Sequence, residues 1–207
     1  MIKVLDHPLI TTKLTIMRDK NTSHHLFREL LKEISTLMVY EILRDYQTID
    51  YQVETPTGSI ANGKKMDKEI VLVPILRAGL GMVEGILSLV PTARVGHIGV
   101  YRDETTFQAH EYFYKIPNVA KDSQILLLDP MLATGTSAID SITRLKKDGF
   151  TNINLVCLVG VPEGMQNVHK QHPDVKIFLA AQDEYLNAKK YIIPGLGDAG
   201  DRIFGTK

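Results

Sequence analysis

The chain has 207 residues, with 24 basic and 24 acidic side chains and 44% hydrophobic residues. That length suits one domain burying about 70% of its extended surface, and the zero balance argues against a protein that coats polyphosphate. The one cysteine excludes an internal disulfide, and no Cys/His cluster has zinc spacing; with no signal peptide or membrane span legible, a cytoplasmic protein is expected.

The first clear element is a helix from about Ser23 to Asp45. Leu26, Phe27, Leu30, Leu31, Ile34, Leu37, Met38 and Ile42 recur at three- and four-residue steps, with Thr22 or Ser23 as N-cap. From residue 69 short apolar runs alternate with helical stretches. Strands are expected at Ile70–Leu76, Val95–Tyr101, Ile125–Asp129, Leu155–Val159 and Val175–Leu179. Helices are expected at Gly79–Leu89, 136–147 and Glu163–Lys170, the second ending in Lys146-Lys147-Asp148-Gly149. Near-continuous apolar strands alternating with helices indicate an α/β protein, a parallel sheet covered on both faces. Ligands of such sheets bind at the carboxyl ends of the strands.

Residues 101–122 break the alternation. Arg102 to Gln108 is polar, and Glu111–Lys115 reads as a strand returning antiparallel, so the excursion is either a lid over a site or a plain surface hairpin. Cys157, inside the apolar run Asn154–Val159, reads as an inert core thiol. His24 and His25 open a helix and read as solvated; His97 and His110 have no legible partner.

The strongest chemical signal is Ile125-Leu126-Leu127-Leu128-Asp129-Pro130-Met131-Leu132-Ala133-Thr134-Gly135-Thr136-Ser137-Ala138. A buried strand delivers a carboxylate, a tight loop of small and hydroxylated residues follows, and a helix begins. Unpaired amides at a helix N-terminus bind a phosphate dianion. Gly135 lets the backbone approach closely, while Thr134, Thr136 and Ser137 add hydroxyls. Asp129 then sits beside the phosphate as an acceptor for sugar hydroxyls, unless it merely caps the turn. The Lys-Ser/Thr pair of a Walker loop is missing. Val73–Gly81 ends a strand with Arg77 followed by small residues, which suits a pyrophosphate as well as an arginine at a sheet edge. In the tail, Gly195, Gly197 and Gly200 satisfy G-x-G-x-x-G, but the 7 residues that follow leave no room for a helix and βαβ unit. The tail therefore reads as a glycine-rich loop, either a plain surface loop or one whose exposed backbone N–H and C=O groups meet a ligand.

The stretch Asp129–Ala138 resembles the phosphoribosyl-diphosphate motif of type I phosphoribosyltransferases. Asp-Pro-Met-Leu-Ala-Thr-Gly-Thr-Ser looks like the form found in uracil phosphoribosyltransferases, with Pro130 where many members carry a second acid. The resemblance runs from the N-terminal helix to Lys207. It implies the type I fold in a single domain, 1–207, with a flexible lid at about 101–122 and a base-binding tail at about 191–207. Arg77 and Arg102 would be diphosphate ligands and, with Asp129, the catalytic residues. The peptide after the Arg77 position is often cis in that fold. Asp129, Pro130, Met131, Leu132, Ala133, Thr134, Gly135, Thr136, Ser137 and Asp198 would complete the site for 5-phospho-α-D-ribose 1-diphosphate (PRPP). Ile192, Gly197, Asp198 and Ala199 fall at uracil-contacting positions.

The implied reaction joins the 5-phosphoribosyl group to uracil, giving UMP and diphosphate. Mg²⁺ would arrive as its PRPP complex, with no metal site of the protein's own. GTP is an effector in parts of the family, homodimers and homotetramers are the expected assemblies, and neither nucleic acid nor membrane is a partner. Two alternatives remain at this point, a transferase for another nucleobase and a nucleotide-sensing RNA-binding regulator on the same fold.

Overall fold

The computed structural model describes residues 1–102 and 109–206, with the backbone alone at 101, 102, 109 and 110. In chain order the elements are β1 (Ile2–Val4), α1 (Pro8–Arg18), α2 (His24–Ile42), β2 (Thr48–Glu54), β3 (Ile60–Met66), β4 (Ile70–Leu76) and α3 (Leu80–Leu89). Then come β5 (Arg94–Val95), β6 (His97–Arg102), β7 (Ala109–Lys115), β8 (Gln124–Leu128), β9 (Met131–Leu132) and α4 (Thr136–Lys147). The chain closes with β10 (Asn152–Gly160), α5 (Pro162–Gln171), β11 (Lys176–Gln182), β12 (Tyr185–Leu186), β13 (Ile192–Ile193) and α6 (Ala199–Phe204).

The central sheet runs β1-β11-β10-β8-β4-β6-β7, with β5 beside β4 and β9 beside β10. All its pairings are parallel except β6–β7. Helices cover both faces, as the apolar strands require. One core gathers Leu14, Phe27, Leu31, Met82 and Ile203 from α1, α2, α3 and α6. The other gathers Ile142, Leu145, Met165 and Val168 from α4 and α5. This is the type I phosphoribosyltransferase arrangement that the motif implied. Cys157 is fully buried on β10, and burial holds its thiol well above the ordinary range.

Several expectations need correction. The long helix stops at Ile42, because Tyr46 N–H turns back to the Leu43 carbonyl and closes a turn over Leu43–Asp45. Ser23 is the N-cap, its Oγ accepting from Leu26 N–H. The strand expected at 95–101 is two pieces. They break at Gly96, whose N–H bonds the Leu72 carbonyl and where a side chain would collide with Ile116 and Lys115. The tail does hold a helix, six-residue α6, since Asp198 caps it by accepting from Asp201 N–H. α1, β1 and the β2–β3 hairpin were not expected at all. Of the excursion at 101–122, β7 returns antiparallel to β6 as expected; the lid's residues 103–108 lie outside the described residues.

Candidate active site

Asp129 and Arg77 leave the carboxyl ends of the neighbouring central strands β8 and β4, which pair through Pro74 and Leu128. They line one cleft of about 720 Å³ together with Met131, Ala133, Ile192, Gly197, Asp198 and Ala199. Sequence reasoning missed Ala78, Lys189, Lys190 and Gly200 in the same lining, and left Tyr191 without a role. The adjacent Lys189-Lys190 pair, just upstream of the tail, was the available signal.

The half-buried Asp129 carboxylate accepts from Met131 N–H at 3.3 Å. Burial outweighs this bond and pushes its pKa up to about 6. Arg77 is exposed, in no ion pair among the described residues, and its guanidinium lies 5.6 Å from the centre of the Phe204 ring. The peptide Leu76–Arg77 is cis, so the cis bond enters the arginine rather than leaving it. Gly79 brings this loop against β8, where a side chain would overlap the Leu128 carbonyl. Arg102 ends β6, paired with Ala109; its side chain lies outside the described residues.

A second, smaller hollow of about 80 Å³ is formed by Asp129 and the run Met131–Ala138. Gly135 is the N-cap of α4 at φ 84°, a left-handed position with no side-chain cap, so the first-turn amides of α4 point into the hollow's end of the helix. Thr134 and Thr136 share a hydroxyl hydrogen bond of 3.1 Å, and Asn167 Nδ2 of α5 donates to the Thr134 carbonyl at 3.1 Å. Pro130 is buried, and its carbonyl accepts from Leu158 and Val159 of β10, so it serves the sheet rather than the cleft. Leu132 is buried in the core.

Among the described residues no cluster of three His, Cys, Asp or Glu could hold a metal, and no helix is long and apolar enough to cross a membrane. Asp129 and Asp198 are the carboxylates lining the cleft. That donor set suits a magnesium ion that arrives on a diphosphate and takes its other ligands from phosphate oxygens and water.

An acid at a strand end, a glycine-opened helix terminus beside it and an arginine loop on the next strand define a phosphoribosyltransferase of type I. A hypoxanthine-guanine phosphoribosyltransferase from Bacillus anthracis shares this fold at TM-score 0.51, with 13% identity over 75% of this chain and 78% of that one. The uracil phosphoribosyltransferase family model matches residues 4–206, and the chain belongs to that family. It is similar to the uracil phosphoribosyltransferase of Mycoplasma mobile, 68% identical over the full length of both. That of Staphylococcus aureus is 56% identical, covering 100% of this chain and 99% of the relative. A solved structure from Aquifex aeolicus superposes at TM-score 0.94, with 39% identity over 100% of this chain and 99% of that one.

Proposed function

We infer that the cleft carries out the family's reaction, formation of UMP and diphosphate from uracil and PRPP, with the residues named above in distinct roles. The observation that carries this assignment is the convergence of Arg77, Asp129, Ile192, Gly197, Asp198 and Ala199, far apart in sequence, on one cleft. The 5-phosphate sits on Ala133–Ser137 at the start of α4, where helix-terminus amides and nearby hydroxyls meet a dianion. Asp129 accepts from the ribose hydroxyls. Arg77 and Arg102 receive the diphosphate, and Asp198 stands between the sugar and the base. Ile192, Gly197 and Ala199 form the uracil side.

Charge develops on the ribose C1 as the diphosphate departs, so catalysis lies in placement and in neutralising the leaving group. Asp129 and Asp198 would hold a magnesium ion arriving on the diphosphate, and the ion would supply further neutralisation of the leaving group. Arg77, in no ion pair among the described residues, is available to the leaving diphosphate. Lys189 and Lys190 extend the positive rim of the cleft. The backbone of the 192–199 loop orients N1 of uracil toward C1.

The chain acts as one domain over 1–207, in the cytoplasm, with 101–122 as its lid and 191–207 as its base-binding tail. It works as a homodimer or homotetramer. Support for assembly comes from the β2–β3 hairpin, whose cross-strand register puts Ile49, Tyr51 and Val53 on one face. These residues are 41–47% exposed, and a two-stranded hairpin with an open apolar face is marginal in water unless covered.

Turnover measured with uracil, cytosine, hypoxanthine, guanine, adenine and orotate, with PRPP and Mg²⁺ and with or without GTP, tests the assignment. Uracil alone is expected to react; equal turnover of a purine would overturn the base site. A rate change on adding GTP would establish it as an effector of this chain.

A further inference from the structure

Asp183 follows β11 directly, with its side chain 3% exposed, and Arg18 is the last residue of α1. They meet in a two-armed ion pair, Arg18 Nη1 to Asp183 Oδ2 at 2.9 Å and Nη2 to Oδ1 at 2.5 Å. Both partners have a second bond, and both second bonds go to the same residue. Asp183 Oδ2 accepts from Gly195 N–H at 2.9 Å, and Arg18 Nη1 donates to the Gly195 carbonyl at 2.6 Å. One ion pair thus occupies both polar groups of Gly195. Asp183 is itself tied to the sheet, its N–H donating to the Gly160 carbonyl at 2.8 Å.

Gly195 has φ 64°, and any side chain on it would overlap the Ile192 carbonyl. Arg202 works beside this pair from α6. Its Nη1 donates to the Leu196 and Met17 carbonyls, both at 2.8 Å, and its Nη2 to the Asp19 carbonyl at 2.6 Å. The carbonyls of residues 195 and 196 are therefore drawn toward the end of α1. Gly197 comes next, lines the cleft, and has neither its N–H nor its C=O bonded among the described residues. The loop's polar groups are divided between those fixed to the scaffold and those left for a ligand.

We propose that Arg18 and Asp183 are positioning residues for the pyrimidine base, setting the peptide orientations of the 192–199 loop without touching substrate. This rests on the reading of that loop as the uracil site. Neither residue lines the cleft, so their influence passes through Gly195. Stability alone is a poor account of the pair, because a buried ion pair is often replaceable by apolar side chains without loss. A planar guanidinium bound to a carboxylate through two bonds fixes direction as well as distance. Direction is what a donor-acceptor match to a planar base requires.

The test is steady-state kinetics on Asp183→Asn, which keeps an oxygen for Gly195 N–H while removing the charge, and on Arg18→Lys. The expected result is a rise in the KM for uracil of about tenfold or more, the scale of losing a charged hydrogen bond. The KM for PRPP should stay within about twofold on the same scale, and the preference for uracil over cytosine should fall. Should Asp183→Asn not fold, as judged by circular dichroism, Arg18→Lys gives the same reading. An unchanged uracil KM in a folded variant, or equal rises in both KM values, would overturn the proposal. Ala199→Val, which alters the loop's cleft face directly, separates the two levels. If it raises the uracil KM while Asp183→Asn does not, the positioning role alone is wrong; if neither variant does, the base-loop reading falls as well.

Discussion

Gly164, in the first turn of α5, lies against the carbonyl oxygen of Ala133 with no room for a side chain between them. This contact sets the height of the Ala133–Gly135 loop above α5. Gly135, the N-cap of α4, packs against α5 as well, where an added Cβ would stand 3.0 Å from the Gly164 carbonyl and from Val168. In an open helix Gly→Ala stabilises by roughly 0.5–1 kcal/mol. Here the clash with backbone should win. Gly164→Ala is expected to push Ala133–Gly135 outward and lower kcat/KM for PRPP by about 10²-fold, the cost of a misplacement near 1 Å. The KM for uracil should hardly move. Kinetics with each substrate varied separately checks both statements.

Asp129→Asn should reduce turnover by about 10²-fold or more, as expected for one placed charged contact. The pH dependence has a defined sign. The carboxyl is raised from 3.8 to about 6 by burial, so below about pH 6 the free enzyme takes up a proton and loses the charged acceptor. The kcat/KM for PRPP should fall on that acid limb, and Asp129→Asn should lack the limb. Stability runs the other way. Between the unfolded value of 3.8 and the folded value of about 6, the native state binds more protons than the unfolded chain. The contribution of this residue is thus fully present below pH 3.8 and is lost as pH rises through about 6. Thermal melts of both proteins across this range should show the slope in one and not in the other.

The strand-end half of the cleft was legible because its signals are local. Strand, acid, hydroxyl cluster and helix follow one another within Ile125–Ala138, and α4 spans 136–147 as its periodicity indicates. What escaped depends on distant partners. β1 has three residues and exists through its pairing with Ile177–Leu179 of β11. α1 buries Ile10, Leu14 and Met17, a helical spacing that was readable, but its threonines and isoleucines blur it toward strand. Arg18, Asp183 and Arg202 carry no motif; 165 residues separate the first two. The β2–β3 alternation of Ile49, Tyr51 and Val53 was visible in the sequence, yet it buries nothing within this chain.

That exposed face leads to a third expectation. Val53→Glu sets an acid on the apolar side of the hairpin, where Lys65 already lies 4.7 Å over the Tyr51 ring. A charge at the centre of an interface is disfavoured unless it is paired. The variant should sediment as a smaller species than the parent chain at equal concentration, with its far-ultraviolet spectrum unchanged. Equal masses would place the subunit contact elsewhere.

Asp198 both caps α6 and lines the cleft, and substitution can divide the two. Removing the tail after Pro194 would not isolate the base site, because Leu196, Ala199 and Ile203 are buried in the core and their loss would unfold it. Point changes are sharper. Asp198 caps α6 through Asp201 N–H at 2.9 Å while lining the cleft. Asparagine is as good a cap as aspartate, whereas alanine costs about 1 kcal/mol. Asp198→Asn should therefore keep the parent melting temperature and lose turnover, since only the charge lining the cleft is gone. Asp198→Ala should lose both. Equal turnover of Asp198→Asn and the parent chain would confine Asp198 to its cap.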